Sequence, residues 1–219
     1  MKYAPLSAAA AMLLVILGIA ASKPITPDTK VLPLDFSGID SLTIIDEGDR
    51  AKIQISDVAP GQASFDDLKK TKVSVDRRSN QMTIRTNLSG YGGLVLVVPS
   101  TVRTFVFAQA SMESQGNLDR VLVRASSSIL WEGNVRHLRV ESTPRNSRCK
   151  EACGLGVRVA NATISHLEVF APGSRVSLEQ PDRIVAADLY LGPTGKVSVS
   201  DAARLGHIVL RDSVSPFPE

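Results

Sequence analysis

The chain has 219 residues, with 25 Lys and Arg against 22 Asp and Glu, a formal net charge of +3 and only 5% aromatic residues. So small a basic excess excludes a general nucleic-acid binder, which needs a concentrated basic face for phosphates, and the few aromatics remove the stacking platforms of single-strand binders. The length beyond a short leader suits one domain with a sizeable core.

Residues 1–22 read as a signal peptide. Lys2 gives a thin positive flank, Leu6 to Ala21 is an apolar run, and Gly18-x-Ala20 and Ala20-x-Ser22 are small-x-small cleavage sites. The expectation is export to the periplasm or the extracellular space. The alternative is an uncleaved anchor, because Pro5 to Ser22 reaches the lower length limit for a membrane span. Residues 23–34, with Pro24, Pro27 and Pro33, read as an extended leader.

From Phe36 the apolar residues alternate. Leu42-Thr43-Ile44, Lys52 to Ser56, Lys72 to Asp76 and Gln81 to Arg85 show the period of two that marks half-buried strands. Asp76 to Asn80 is a hairpin-like turn. Phe65 to Lys70 is a candidate helical turn, with Asp66 and Asp67 ahead of Lys69 and Lys70 as the helix dipole favours. Leu94 to Val98 is apolar on both faces, which predicts a strand buried on both sides that joins this irregular N-terminal β-region to the C-terminal half.

From Thr101 onward one phrase recurs: apolar, two residues, apolar, one residue, apolar. It reads Val102-x-x-Phe105-x-Phe107, Leu118-x-x-Val121-x-Val123, Val135-x-x-Leu138-x-Val140, Ile164-x-x-Leu167-x-Val169 and Leu205-x-x-Ile208-x-Leu210, with a weaker copy at Ala186-x-x-Leu189-x-Leu191. Short alternating segments lie between copies: Ile129 to Trp131, Val157 to Val159, Val176 to Leu178 and Val197 to Val199. Two short strands per turn predict an all-β solenoid, whose rungs bury their apolar edges only against one another. Phe105, Val121, Leu138, Leu167, Leu189 and Ile208 are the expected inward ladder, Trp131 a core or corner filler, and residues 214–219 a frayed tail.

Cys149 and Cys153 sit in a polar insertion, 141–156. In an exported chain such a pair reads as a local disulfide, with free or intermolecular thiols as the alternative; two thiolates alone do not complete a metal's tetrahedral shell.

The Phe36 to Ile39 opening, the Asn80 to Ile84 strand, the apolar strand closing on Val98-Pro99-Ser100 and the Ser- and Gly-rich rungs together resemble the bacterial auto-transporter adhesin head family, the GIN domain, over roughly residues 35–213. The resemblance implies a right-handed β-helix, an envelope or extracellular location, and no established enzymatic activity. The family's Ser-Gly-Ser turns are replaced here by Ala110-Ser111-Met112, Ala125-Ser126-Ser127 and Ser142-Thr143-Pro144, and the cysteine-bearing insertion is extra. No functional residues carry over from the family.

All three histidines, His137, His166 and His207, fall immediately before the second apolar residue of the phrase; Arg120 and Asp188 take the same place in other copies. In-register stacking would align these five as an outward column, a candidate binding face. Neighbouring imidazoles and a carboxylate are the donors a divalent metal takes, and histidines respond to acidification. The plainer reading is solvated surface, and no metal or cofactor is expected. Catalysis has less support: Asp46 with Glu47, and Asp66 with Asp67, are sequence neighbours that point to opposite faces of a strand. The sequence therefore predicts a non-catalytic envelope module that binds a glycan, an envelope protein or another copy of itself. It predicts no nucleic-acid partner, and membrane contact only through an uncleaved leader. A β-helical carbohydrate-active enzyme and a self-assembling structural subunit are the alternatives.

Overall fold

The computed structural model describes residues 30–46, 51–56, 61–65, 73–86, 94–143, 154–180, 183–200 and 208–211. The signal segment, the candidate helical turn beyond Phe65, Cys149, Cys153, His207 and the 214–219 tail lie outside the described residues. Within them the chain is all-β, with thirteen strands in one hydrogen-bonded sheet. They are β1 (Lys30–Pro33), β2 (Ser41–Asp46), β3 (Ala51–Ile55), β4 (Gln62–Phe65), β5 (Val73–Arg78), β6 (Gln81–Thr86), β7 (Leu94–Val98), β8 (Thr104–Ser142), β9 (Gly156–Phe170), β10 (Arg175–Leu178), β11 (Ile184–Tyr190), β12 (Lys196–Val199) and β13 (Ile208–Arg211).

The N-terminal alternation does what its period requires in β2, β3 and β6 but not in β5, where Val75 is 41% exposed because β5 lies at the edge of the sheet and pairs with β6 alone. β3 buries Ala51, Ile53 and Ile55, and β6 buries Met82, Ile84 and Thr86. β2 lies parallel between β6 and β8, so that Leu42 is stacked between Met82 and Phe105. β3 lies parallel between β7 and β8, with Ile53 between Leu96 and Met112. The outer pairings are antiparallel: β5 folds back on β6 through Ser79 and Asn80, and β1 and β4 extend from β7. The last residues of the expected leader, Lys30–Pro33, are thus a strand, and Phe65 closes β4 rather than opening a helical turn. Lys-Val-Leu-Pro does not alternate, and Gln-Ala-Ser-Phe alternates over only four residues; β7 offers β4 a free edge, and β4 then offers one to β1.

β8 spans 39 residues, but it is not straight. Arg124 Nε donates to Glu141 Oε2 at 2.9 Å, Arg136 Nη1 to Asp119 Oδ1 at 3.0 Å and Asn134 Nδ2 to Asn117 Oδ1 at 3.2 Å, each across 17 residues. An extended run of that length would cover about 55 Å. β8 therefore turns back over itself. Gly133, at φ 98°, lies at the irregularity in its pairing with β9.

Beyond β8 every pairing is parallel: β9 on β8, β10 and β11 on β9, β12 on β10 and β13 on β11. Ile129, Val157, Val176 and Val197 form one row, and Trp131, Val159, Leu178 and Val199 the next. Trp131 is completely buried, and its Nε1 donates to the Gly133 carbonyl at 3.3 Å. Phe105, Val121, Leu138, Leu167 and Leu189 are all at most 1% exposed, as inward positions should be; fully burying each such side chain contributes roughly 1.5–3 kcal/mol.

One register differs from the expected one. Ile184 pairs with Ile164, Ala187 with Leu167 and Leu189 with Val169, so the copy of the phrase is Ile184-x-x-Ala187-x-Leu189 and not Ala186-x-x-Leu189-x-Leu191. The slip keeps Leu189 and Leu191 on the inward face and exchanges the two alanines: Ala187 is buried and Ala186 faces outward, the reverse of the expected phrase. Both frames bury Leu189, and they differ in its neighbour and in which alanine faces inward.

Candidate functional site

Because residues 138, 140, 167, 169, 187 and 189 point inward, their alternate neighbours form an outward patch of three rows. His137, Arg139 and Glu141 of β8 stand opposite His166, Glu168 and Phe170 of β9, which in turn stand opposite Ala186, Asp188 and Tyr190 of β11. His137 and His166 are adjacent as the column predicts, with ring centroids 5.0 Å apart. Asp188 is a correction: it sits across from Glu168, and Ala186 takes the place opposite His166, as the slipped register requires. Asp188 still reaches the histidine diagonally, with Oδ2 3.1 Å from His166 Nε2. Arg120 is exposed and joins none of these contacts, and His207 lies outside the described residues.

The carboxylates of Glu168 and Glu141 organise the patch. Glu168 Oε1 lies 3.3 Å from His137 Nε2 and 3.6 Å from His166 Nε2, while its Oε2 faces Arg139 Nη1 at 3.6 Å. Glu141, only 12% exposed, takes Arg139 Nε on one oxygen at 2.7 Å and Arg124 Nε on the other at 2.9 Å. The Arg139 guanidinium lies 4.4 Å above the Phe170 ring, and Phe170 stacks on Tyr190 at 4.4 Å and 11°. His137 Nε2 is buried and makes no hydrogen bond, its approach to Glu168 being off the hydrogen-bonding direction.

Arg139, Glu141, Glu168, Phe170 and Tyr190 were not singled out from the sequence. Each lies two or four residues beyond a column position, or on its neighbour strand in register, so the period of two carried the signal. The other broad face carries an open groove of about 440 Å³ lined by Gln109, Ser111, Leu130, Arg158 and Arg175, among others. Arg158 there is paired with Glu179 at 2.5 Å, and this hydrogen-bonded carboxylate raises its pKa above the ordinary value.

No known family pattern matches the chain, and no curated protein matches it in sequence. The solved structures to which it is similar include two of low identity. One, a candidate adhesin from Bacteroides fragilis NCTC 9343, is 11% identical, with 82% of this chain and 94% of the other covered and a TM-score of 0.45. The other, a candidate cell adhesion protein from Clostridium sporogenes ATCC 15579, is 8% identical, with 83% and 94% covered and a TM-score of 0.31. No helix among the described residues is long and apolar enough to cross a membrane.

Proposed function

We propose that this chain is an exported, non-catalytic binding module of a bacterial envelope, wound as the right-handed β-helix that its resemblance to the GIN domain family implies. Its contact surface is the outward face of β8, β9 and β11. The observation that supports this reading is the Arg139, Phe170 and Tyr190 stack set among Glu141, Glu168 and Asp188 on an open face. Stacked aromatic faces flanked by paired charges suit a glycan or a protein surface, to which they offer apolar area and directional polar contacts. A small substrate needing a dry, walled cavity is a poor fit to such a face.

The test is a glycan and envelope-protein binding screen with the purified chain, repeated with Tyr190→Ala and Arg139→Ala. Binding that both substitutions weaken supports the reading. Polysaccharide cleavage abolished by a single carboxylate substitution would replace it with the enzyme. A self-assembling subunit is the second reading, favoured by one feature: among the described residues β12 and β13 each pair with a single strand, and Val209 of β13 is 45% exposed. Light scattering over a dilution series, with Val209→Lys as the disrupting variant, separates self-assembly from the monomeric module.

A further inference from the structure

We propose that His137, His166 and Glu168 form a binding site for one zinc-like divalent transition-metal ion, with Asp188 as an adjoining carboxylate donor. The proposal goes beyond the binding-module reading and stands whether or not that reading holds.

The geometry is already close to what a metal asks. One ligand atom from each of His137, His166 and Glu168 lies within 4.8 Å of the other two. Three separations around the cluster are 3.3 Å (His137 Nε2 to Glu168 Oε1), 3.6 Å (His166 Nε2 to Glu168 Oε1) and 3.1 Å (His166 Nε2 to Asp188 Oδ2). Metal–ligand bonds of about 2.0–2.2 Å place neighbouring tetrahedral ligands roughly 3.3–3.6 Å apart. Little rearrangement is needed to seat an ion between the first three groups. Two histidines with one carboxylate are a known zinc ligand set, completed by a further donor.

Four features separate this cluster from an ordinary surface ion pair. His137 Nε2 is buried without a hydrogen bond, an arrangement that native proteins avoid unless something else satisfies the atom. The two histidines are fixed opposite one another by the parallel register, so their spacing does not depend on a flexible loop. Arg139 faces the far oxygen of Glu168, Oε2, at 3.6 Å and so leaves Oε1 turned to both imidazoles, as an outer-shell partner should. Ala186, opposite His166, adds no bulky side chain there. Two carboxylates balance a doubly charged ion. Paired imidazole nitrogens favour zinc, nickel or copper over calcium and magnesium, which prefer all-oxygen shells. In binding, His166 Nε2 turns its lone pair to the metal in place of its 3.1 Å contact with Asp188 Oδ2.

The test is isothermal titration of the chelator-stripped full chain with ZnCl2, run in parallel on its Cys149→Ser, Cys153→Ser variant so that thiolate binding is counted apart. CoCl2 serves as an optical probe of tetrahedral nitrogen and oxygen ligation. The expected result is one ion per cysteine-free chain, a higher melting temperature with zinc, and affinity at least tenfold weaker in Glu168→Gln and in His166→Ala. Asp188→Asn should weaken binding less, and Arg120→Ala should leave it unchanged. Glu168→Gln keeps the shape of the side chain, and an unaltered circular dichroism spectrum of the metal-free variant separates lost ligation from lost folding. Absence of binding to the cysteine-free chain, or binding equally tight in Glu168→Gln and His166→Ala, would overturn the proposal.

Discussion

The two ends of the sheet are finished in different ways. At the N-terminal end the parallel strands β2 and β3 are followed outward by antiparallel partners, β5 on β6 and β4 then β1 on β7. The outer strands carry edge-protecting residues: Asp76, Arg77 and Arg78 on β5, and Pro33 on β1. At the C-terminal end the ladder stays parallel to its last described strands, β12 and β13. Burial records the contrast. Val176 and Leu178 of β10, with strands on both sides, are 0% exposed, whereas Val197 and Val199 of β12 are only partly buried. Strands on both sides bury the residues of β10, whereas β12, paired on one side among the described residues, leaves its valines half-buried.

Core truncations probe whether the two regions are one cooperative unit. Leu167→Ala in the parallel stack and Ile53→Ala in the N-terminal region each empty a completely buried site, and each should cost about 2–5 kcal/mol. Urea denaturation of both should give one transition that shifts as a whole. Two separated transitions would mean that the regions unfold independently.

Gly133 lies at the irregular pairing between β8 and β9. A Cβ there would run into Ser114 Oγ and the Ser114 carbonyl, and φ 98° disfavours any other residue. Gly133→Ala should therefore destabilise by about 1–3 kcal/mol, read as a lower melting temperature. An unchanged midpoint would show that this crossing is looser than its contacts imply.

The contrast between inner and outer strands is tested by a matched pair. Val176→Ala should cost more than Val197→Ala in the same urea assay, because full burial of a Val is worth roughly 1.5–3 kcal/mol and Val197 realises only part of it. Equal costs would mean that something covers β12 in solution, as a second copy of the chain would.

The smallest effect concerns the turn between β1 and β2. The Ser37 hydroxyl and backbone amide, then the Arg77 guanidinium, hydrogen-bond the Asp35 carboxylate and lower its pKa from 3.8 to about 2. A carboxylate with a depressed folded pKa contributes stability above its unfolded value and loses it as pH falls through the folded one. The wild type should thus have a slight advantage over Asp35→Asn at neutral pH that shrinks between pH 3.8 and about 2. Melting temperatures across that range check it, and a constant difference would count against the Asp35–Arg77 tie.

The candidate site was legible in part. The column position brought out His137 and His166 because both precede the same apolar residue of a repeated phrase, and parallel pairing keeps such residues opposite one another. Glu168 and Arg139 escaped notice because their importance lies in diagonal contacts between rows, at distances no single repeat contains.

By itself the sequence determined most of the inward positions, since alternation within a strand segment sets the face and apolar side chains mostly choose the dry one; Val75 and Val185 are exceptions, at 41% and 66% exposed. Tertiary structure decided the register. Ala187 rather than Leu189 lies against Leu167, and Asp188 stands across from Glu168 rather than His166. The slip keeps Leu189 and Leu191 buried and exchanges Ala186 for Ala187 on the inward face, two residues of one hydrophobicity, so hydrophobicity cannot choose between the frames. The choice falls to the fit of whole strands: Ile184 on Ile164, Leu189 on Val169 and Tyr190 on Phe170, all satisfied together. The same holds for β1 and β4, four residues each, which lie as strands where a neighbouring edge supplies the hydrogen bonds their backbones need.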